Sequence, residues 1–125
     1  LAPSNTVICD VAHNPSAGSA ISNYLNTFGK NNKIYMICGM MDNKIHDKFL
    51  SNFKQVSEIV AVDIPNNENC IKKETLKIII EKIGIKSKTS NSIQEAVKYI
   101  ANKDKDSIIL ITGSIFLIGE VLNLN

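Results

Sequence analysis

The sequence predicts an α/β domain, a mainly parallel sheet of about five to six strands with helices on both faces. Two observations carry this reading. Five short runs, most of them rich in isoleucine, valine and threonine, fall at 6–10, 33–38, 57–64, 85–88 and 107–112, and each ends near a glycine, proline or asparagine. Between them lie stretches of about ten to fifteen residues whose apolar positions recur at helical spacing. Right-handed crossovers deposit a helix after each strand of a parallel sheet, so such strands are covered on both faces and read as continuous apolar runs. The expected architecture is a Rossmann-like three-layer sandwich. At 125 residues the chain has the size of one domain with one ordinary core.

The first run is apolar and β-branched and stops before Asn14-Pro15, which predicts a buried strand. From Pro15, the residues Ala17, Ala20, Ile21, Tyr24, Leu25 and Phe28 mark one helical face, with Asn14 as N-cap, Pro15 at the first helical position and Gly29 as stop. The second run is another buried strand, ended by Gly39, and a weaker helical pattern follows at Ile45, Phe49, Leu50 and Phe53. Pro65 breaks the third strand. Leu76, Ile79, Ile80 and Ile83 form the next helical stripe, with Asn69 offered as its start and Gly84 as its end, and a brief strand follows at 85–88. Ser92 and Glu95 have capping-box spacing, in which the hydroxyl accepts from the Glu95 amide and the carboxylate returns to the cap. Ile93, Ala96, Val97, Ile100 and Ala101 continue that helix. After the fifth run, Gly113-Ser114 opens a last helix to about Leu122 that is apolar nearly all round and is therefore expected to be buried.

Composition narrows the function classes. Apolar residues make up 44% and charged residues 21%, which is globular and argues against disorder. All fourteen basic residues are lysine, so no guanidinium fork is available for bidentate phosphate or base recognition, and the lysines are interleaved with acids rather than clustered. With no Trp, three Tyr and four Phe there is little stacking surface, and nucleic acid is not expected as a partner. No stretch reaches the ~18 apolar residues of a membrane span, so no membrane partner is expected either. The three cysteines, Cys9, Cys38 and Cys70, form no CxxC pair and no metal-ligand spacing with a histidine. A reducing, cytoplasmic setting is expected, with Cys9 and Cys38 as buried small hydrophobes and Cys70 as a surface thiol. The chain starts Leu1-Ala2-Pro3 and is expected to be a fragment of a longer protein.

In sheets of this kind ligands bind at the carboxyl ends of the strands, which directs attention to the turns after the first, second and fifth runs. The first turn, Asp10-Val11-Ala12-His13-Asn14-Pro15, gathers a carboxylate, an imidazole and an amide at a helix start whose unpaired N–H groups favour anions. The bland alternative is that Asp10 braces the turn, Asn14 only caps, and backbone satisfies His13. In the last turn, Thr112-Gly113-Ser114, glycine allows close backbone approach to a ligand. The middle turn, Gly39-Met40-Met41-Asp42-Asn43-Lys44, carries one carboxylate and one ammonium and reads by itself as an ordinary loop. His46 reads as a surface residue. Neither a GxGxxG dinucleotide fingerprint nor a P-loop occurs, and no nucleophile elbow, HExxH pair or Cys-His dyad is present.

Three motifs, the DVAHNP hexapeptide from Asp10, Gly39-Met40-Met41, and Thr112-Gly113-Ser114 followed by Ile115-Phe116-Leu117-Ile118-Gly119-Glu120-Val121, occur in the same order in another family. Across essentially the whole chain, the sequence resembles the C-terminal domain of folylpolyglutamate synthase/dihydrofolate synthase, within the Mur ligase superfamily. The hexapeptide is shared in looser form with the muramyl peptide ligases, whereas its combination with the terminal Gly113-Ser114, the aromatic Phe116 and Gly119-Glu120 resembles the folate branch. The resemblance implies an ATP-dependent ligase in which the pterin substrate's carboxylate becomes an acyl phosphate that the amine of L-glutamate displaces. It implies ATP and Mg2+, held mainly by an N-terminal ATPase domain absent from this chain, and dihydropteroate or folate as acceptor. By the same analogy Asp10, His13 and Asn14 would contact the nucleotide, and His13 with Ser114 would orient glutamate. The family's middle motif usually runs Gly-Met-x-x-Asp-Lys-Asp; here Asn43 and Ile45 stand at the two acidic positions and Lys44 matches. No catalytic residue and no metal ligand is expected in this chain, which should be inactive by itself and part of a monomeric enzyme. A muramyl ligase domain and a non-catalytic nucleotide-binding module are the alternatives.

Overall fold

The computed structural model describes residues 5–28, 32–43 and 46–123. Five strands, β1 (Thr6–Cys9), β2 (Ile34–Cys38), β3 (Glu58–Ala61), β4 (Ser87–Thr89) and β5 (Ile108–Thr112), form one sheet in the order β1-β5-β2-β3-β4. Every neighbouring pair is parallel. Helices α1 (Pro15–Phe28), α2 (His46–Leu50), α3 (Lys73–Ile83), α4 (Ile93–Lys103) and α5 (Ile115–Asn123) connect or follow the strands, and a 3₁₀ turn at Ser51–Phe53 extends α2.

The apolar residues sort onto two faces, as the three-layer reading requires. On one face Leu25 of α1, Phe49 and Phe53 from the α2 region and Leu76 and Ile80 of α3 pack on Met36, Cys38, Ile59 and Leu110. On the other face Ala96 and Ile100 of α4 and Leu117 of α5 pack on Ile37, Val60, Ile109 and Ile111. Alternate residues of β2 and β5 thus enter opposite cores, and both strands are buried along their whole length.

Several local expectations change once the strands are ordered. β1 is an edge strand, with its two ends exposed, rather than a buried one. The reason is that β5, last in sequence, inserts between β1 and β2, and nothing in the first run encodes that choice. As a result Cys9 is exposed, while Cys70 is buried in the second core, so those two thiols exchange their expected places. β3 ends at Ala61 rather than at 64, because its partner β2 ends at Cys38; one further amide, Val62 N–H, still reaches the Cys38 carbonyl at 2.9 Å. β4 is shifted to Ser87–Thr89, and Ile85 packs in the core beneath α3.

Helix ends show the same effect. Asn14 caps α1 as expected, its Oδ1 accepting from Ala17 N–H at 2.9 Å; the proposed stop, Gly29, lies outside the described residues. Asn69 does not start α3. The helix begins at Lys73, whose N–H donates 2.8 Å to Asp63 Oδ1 from the end of β3, and the Lys73 ammonium pairs with the same carboxylate at 3.3 Å. A carboxylate ten residues upstream thus fills the capping role at the positive end of the helix dipole. Gly84 ends α3 at φ 98°, donating to Glu81 O, the left-handed C-terminal geometry that glycine adopts without Cβ strain. At α4, Ser92 Oγ accepts from Glu95 N–H at 3.1 Å, which is the forward half of the capping box.

A carboxylate lies almost wholly inside this fold. Glu58, 2% exposed at the start of β3, accepts from Tyr99 Oη at 2.7 Å and from Lys103 Nζ at 3.0 Å, so α4 is tied to the sheet by a charge-assisted network.

Candidate active-site cleft

The strand order places a crevice at the carboxyl end of β5. The chain leaves β1 and β2 toward the face that holds α1 and α2, and leaves β5 toward the face that holds α5. Where neighbouring strands send their connections to opposite faces, the loops part and leave room for a ligand.

Three contacts hold the loops around that crevice. The Ala12 carbonyl, after β1, accepts from Gly113 N–H at 3.0 Å and from Thr112 Oγ1 at 3.2 Å, both at the end of β5. Gly113 (φ 119°) also sits against the end of β2, where a Cβ would come within 2.5 Å of the Gly39 carbonyl and 2.9 Å of Cys38 Sγ. Glycine is therefore needed in this turn for a close approach of the chain to itself. His13 follows Ala12 and Ser114 follows Gly113, so these contacts carry two residues about a hundred positions apart to one place. Both line a cavity of about 130 Å³, with Met41, Asn43, Ile115 and Phe116.

The polar groups there are partly committed. His13 Nδ1 donates to the Val11 carbonyl at 2.9 Å, which puts the ring proton on Nδ1 and leaves Nε2 to accept, or to donate if the ring is protonated. Ser114 is buried, and its Oγ accepts from Phe116 N–H at 3.1 Å as the cap of α5, leaving the hydroxyl proton to donate. Asn14 is occupied as a cap. Asp10 does not share this cavity: one carboxylate oxygen accepts from Ala12 N–H at 2.8 Å, and the residue lines a separate depression of about 290 Å³ with Ala17, Ala20, Ile21 and Tyr24. The bracing and capping roles are thus present for Asp10 and Asn14, and Asp10 lies in a different concavity from His13 and Ser114.

α5 is not buried all round. Leu117 and Ile118 are covered, but Ile115, Phe116 and Leu122 are 60%, 54% and 66% exposed, and the first two of these line the cavity. The sequence singles out the turn after β2 but reads it by itself as an ordinary loop, so Met41 and Asn43 are not offered as cavity residues. Sequence reasoning also missed His46, which is half-buried and whose Nε2 donates 2.8 Å to the Met41 carbonyl, fixing the loop's base. Among the described residues there is no group of three His, Cys, Asp or Glu side chains placed to hold a metal ion. Nor is any helix among them long and apolar enough to cross a membrane.

Burial gives Cys38, at the end of β2, a thiol pKa pushed up to about 12 from 9.0. The unfolded chain loses this proton above pH 9 while the folded chain keeps it, so stability falls as pH rises from about 9 toward about 12. The expected slope from this group is about 1.4 kcal/mol per pH unit. Urea unfolding on either side of pH 9 measures it, and Cys38→Ala should remove this share of the alkaline loss; an unchanged slope in that variant would refute the assignment.

A parallel α/β sandwich whose loops part at a topological switch point defines a class of ligand-binding domain, with the crevice outside the carboxyl ends of its strands. The family model described as Mur ligase, glutamate ligase domain matches residues 2–115, and the chain belongs to that family. It is 31% identical over 127 residues to a UDP-N-acetylmuramate–L-alanine ligase of Clostridium acetobutylicum, covering 93% of this chain and 28% of that protein. It is 27% identical over 119 residues to a probable bifunctional folylpolyglutamate synthase/dihydropteroate synthase of Haloferax volcanii, covering 92% of this chain and 14% of that protein. Among solved structures, Mycobacterium tuberculosis folylpolyglutamate synthase complexed with ADP superposes with a TM-score of 0.83 at 21% identity, over 94% of this chain and 29% of that one. The chain therefore spans between 14% and 29% of the length of these relatives.

Proposed function

We propose that this chain is the C-terminal domain of an ATP-dependent ligase that adds L-glutamate to dihydropteroate, to folates or to both, working with an N-terminal ATPase domain of the same polypeptide. The observation that carries the reading is the shared cavity of His13 and Ser114 at the switch point. It is supported by the family match and by the terminal Gly113-Ser114-Ile115-Phe116-Leu117-Ile118-Gly119-Glu120 pattern.

In this reading the phosphoryl group comes from ATP on the partner domain, and the residues of this chain bind and orient. The Ser114 hydroxyl donates to a carboxylate of glutamate, and His13 Nε2 accepts from its amine, holding the nitrogen toward the activated carboxyl group. The N-termini of α1 and α5 add positive potential for the same carboxylates. Asp10, an acceptor that would repel phosphate, suits hydroxyl groups of the nucleotide sugar in its adjoining depression. Asn14 acts on the nucleotide only through the helix start that it caps. Mg2+ would be held by residues outside this chain, and no step is assigned to it here.

The 31% identity to a muramate–alanine ligase favours a second reading, the equivalent domain of a peptidoglycan-precursor ligase. Purified parent enzyme should release ADP when given dihydropteroate or a reduced folate together with glutamate, and not when given UDP-N-acetylmuramate with alanine. The reverse pattern would establish the second reading. The 125-residue chain alone should ligate nothing, since it lacks a γ-phosphate cradle; glutamate-dependent phosphate release by it would refute this division of labour.

A further inference from the structure

We propose that His46 is a positioning residue for the amino-acid site, its imidazole N–H holding the loop after β2 in the shape that closes one side of the cavity. The inference rests on the reading that this cavity receives the amino acid. His46 opens α2 and is half-buried, and its Nε2 donates to the Met41 carbonyl at 2.8 Å. Met41 lines the cavity with His13 and Ser114, whereas His46 does not. The imidazole therefore acts on the site through one backbone group of its wall.

The backbone of the loop shows why a side chain is needed there. Met41 forms an isolated antiparallel bridge with Cys70, made by Asp42 N–H to the Asn69 carbonyl at 2.8 Å and by Ile71 N–H to the Met40 carbonyl at 2.9 Å. Both bonds use the neighbours of Met41, as in the non-hydrogen-bonded pair of an antiparallel ladder, where the paired residue's own N–H and C=O point away from the partner. The Met41 carbonyl is thus left for His46, and the loop is held by backbone on one side and by an imidazole on the other. Phe49 and Leu50 of the same helix are fully buried, so the element that carries the imidazole is anchored in the core. Without the donor, a carbonyl of a half-buried residue loses its partner, and turning that peptide toward water relieves the loss while moving Met41. A cavity wall fixed beforehand lowers the ordering cost of binding, so a loosened one weakens binding without touching a reacting atom.

The test uses the parent enzyme with His46→Phe, which keeps a ring and removes the donor, and His46→Gln, whose amide supplies an N–H donor again. Steady-state kinetics for the amino acid and for ATP are measured together with amide hydrogen exchange over residues 40–43. His46→Phe is expected to raise the amino-acid KM about fivefold, the weight of one neutral hydrogen bond, to leave the ATP KM within about twofold, and to speed exchange over 40–43. His46→Gln should return the amino-acid KM to within about twofold of the parent. If the phenylalanine variant does not fold, His46→Ala removes the donor without adding bulk and carries the same expectations. An unchanged amino-acid KM in an active glutamate ligase would overturn the role of His46 alone, even with faster exchange. Equal losses for ATP and for the amino acid, or a glutamine variant no better than the one lacking a donor, would overturn it too. If the parent ligates alanine and the loss of the donor raises the KM for alanine, the positioning role stands and the glutamate reading falls. No ligation of any amino acid would overturn both.

Discussion

Gly113→Ala is expected to destabilise the domain by about 3 kcal/mol or more, the largest effect of any single methyl group added to this fold. Two terms act together. The residue holds φ at 119°, a backbone conformation that L side chains rarely adopt, and the added Cβ would lie 2.5 Å from the Gly39 carbonyl oxygen. Both obstacles are backbone, so no side-chain rotation relieves them. Displacing the turn to relieve the clash would also disturb the bonds from Gly113 N–H and Thr112 Oγ1 to the Ala12 carbonyl, which bring His13 beside Ser114. Gly119→Ala in α5 is the matched control: nothing lies within 4 Å of its added Cβ, and alanine in a helix interior is favoured over glycine by up to about 1 kcal/mol. Urea midpoints for the two variants decide the matter. A Gly113→Ala protein within about 1 kcal/mol of the parent would mean that the turn relaxes and that the close approach is not required.

The second large effect is on activity. In the parent enzyme His13→Ala should lower kcat/KM for glutamate by ~1.5 to 3 kcal/mol, the range for losing a hydrogen bond to a charged group, while ATP binding suffers less. The asymmetry follows from geometry, since His13 lines the cavity with Ser114 whereas Asp10 lines the neighbouring depression. Asp10→Asn should show the opposite bias toward ATP. Glutamate kinetics that survive His13→Ala, together with lost nucleotide binding, would exchange the two roles and leave the fold reading intact.

Much of the candidate site was legible because its chemistry is written into short local signals. Asn14-Pro15 announces a helix start whatever the surroundings, since proline's fixed φ and an asparagine cap are local properties. An Asp and a His just before that start, and a Gly-Ser pair at another, mark places where backbone N–H groups lack partners. The turn that holds Met41 and Asn43 was marked by its place after the second strand, but which of its side chains line the cavity was not legible, because that depends on the ordering of strands. Asp63 was missed as the cap of α3 for a related reason: it reaches the first turn from ten residues upstream, beyond the spacing on which capping rules rest.

What the sequence determined by itself was the type of each element and the layered class of the fold. Apolar runs such as Ile34–Cys38 and Ile108–Thr112 can be satisfied only by burial on both faces, and the stripes of α3 and α4 repeat with the helical period. Tertiary structure alone decided which strands are neighbours. The insertion of β5 between β1 and β2 made β1 an edge, exposed Cys9 and left part of α5 uncovered. It also created the switch point at which His13, Asn43 and Ser114 line one cavity. Local periodicity reports how a residue meets solvent or core, whereas strand order depends on pairing energies between segments about a hundred residues apart, and no window of sequence contains them.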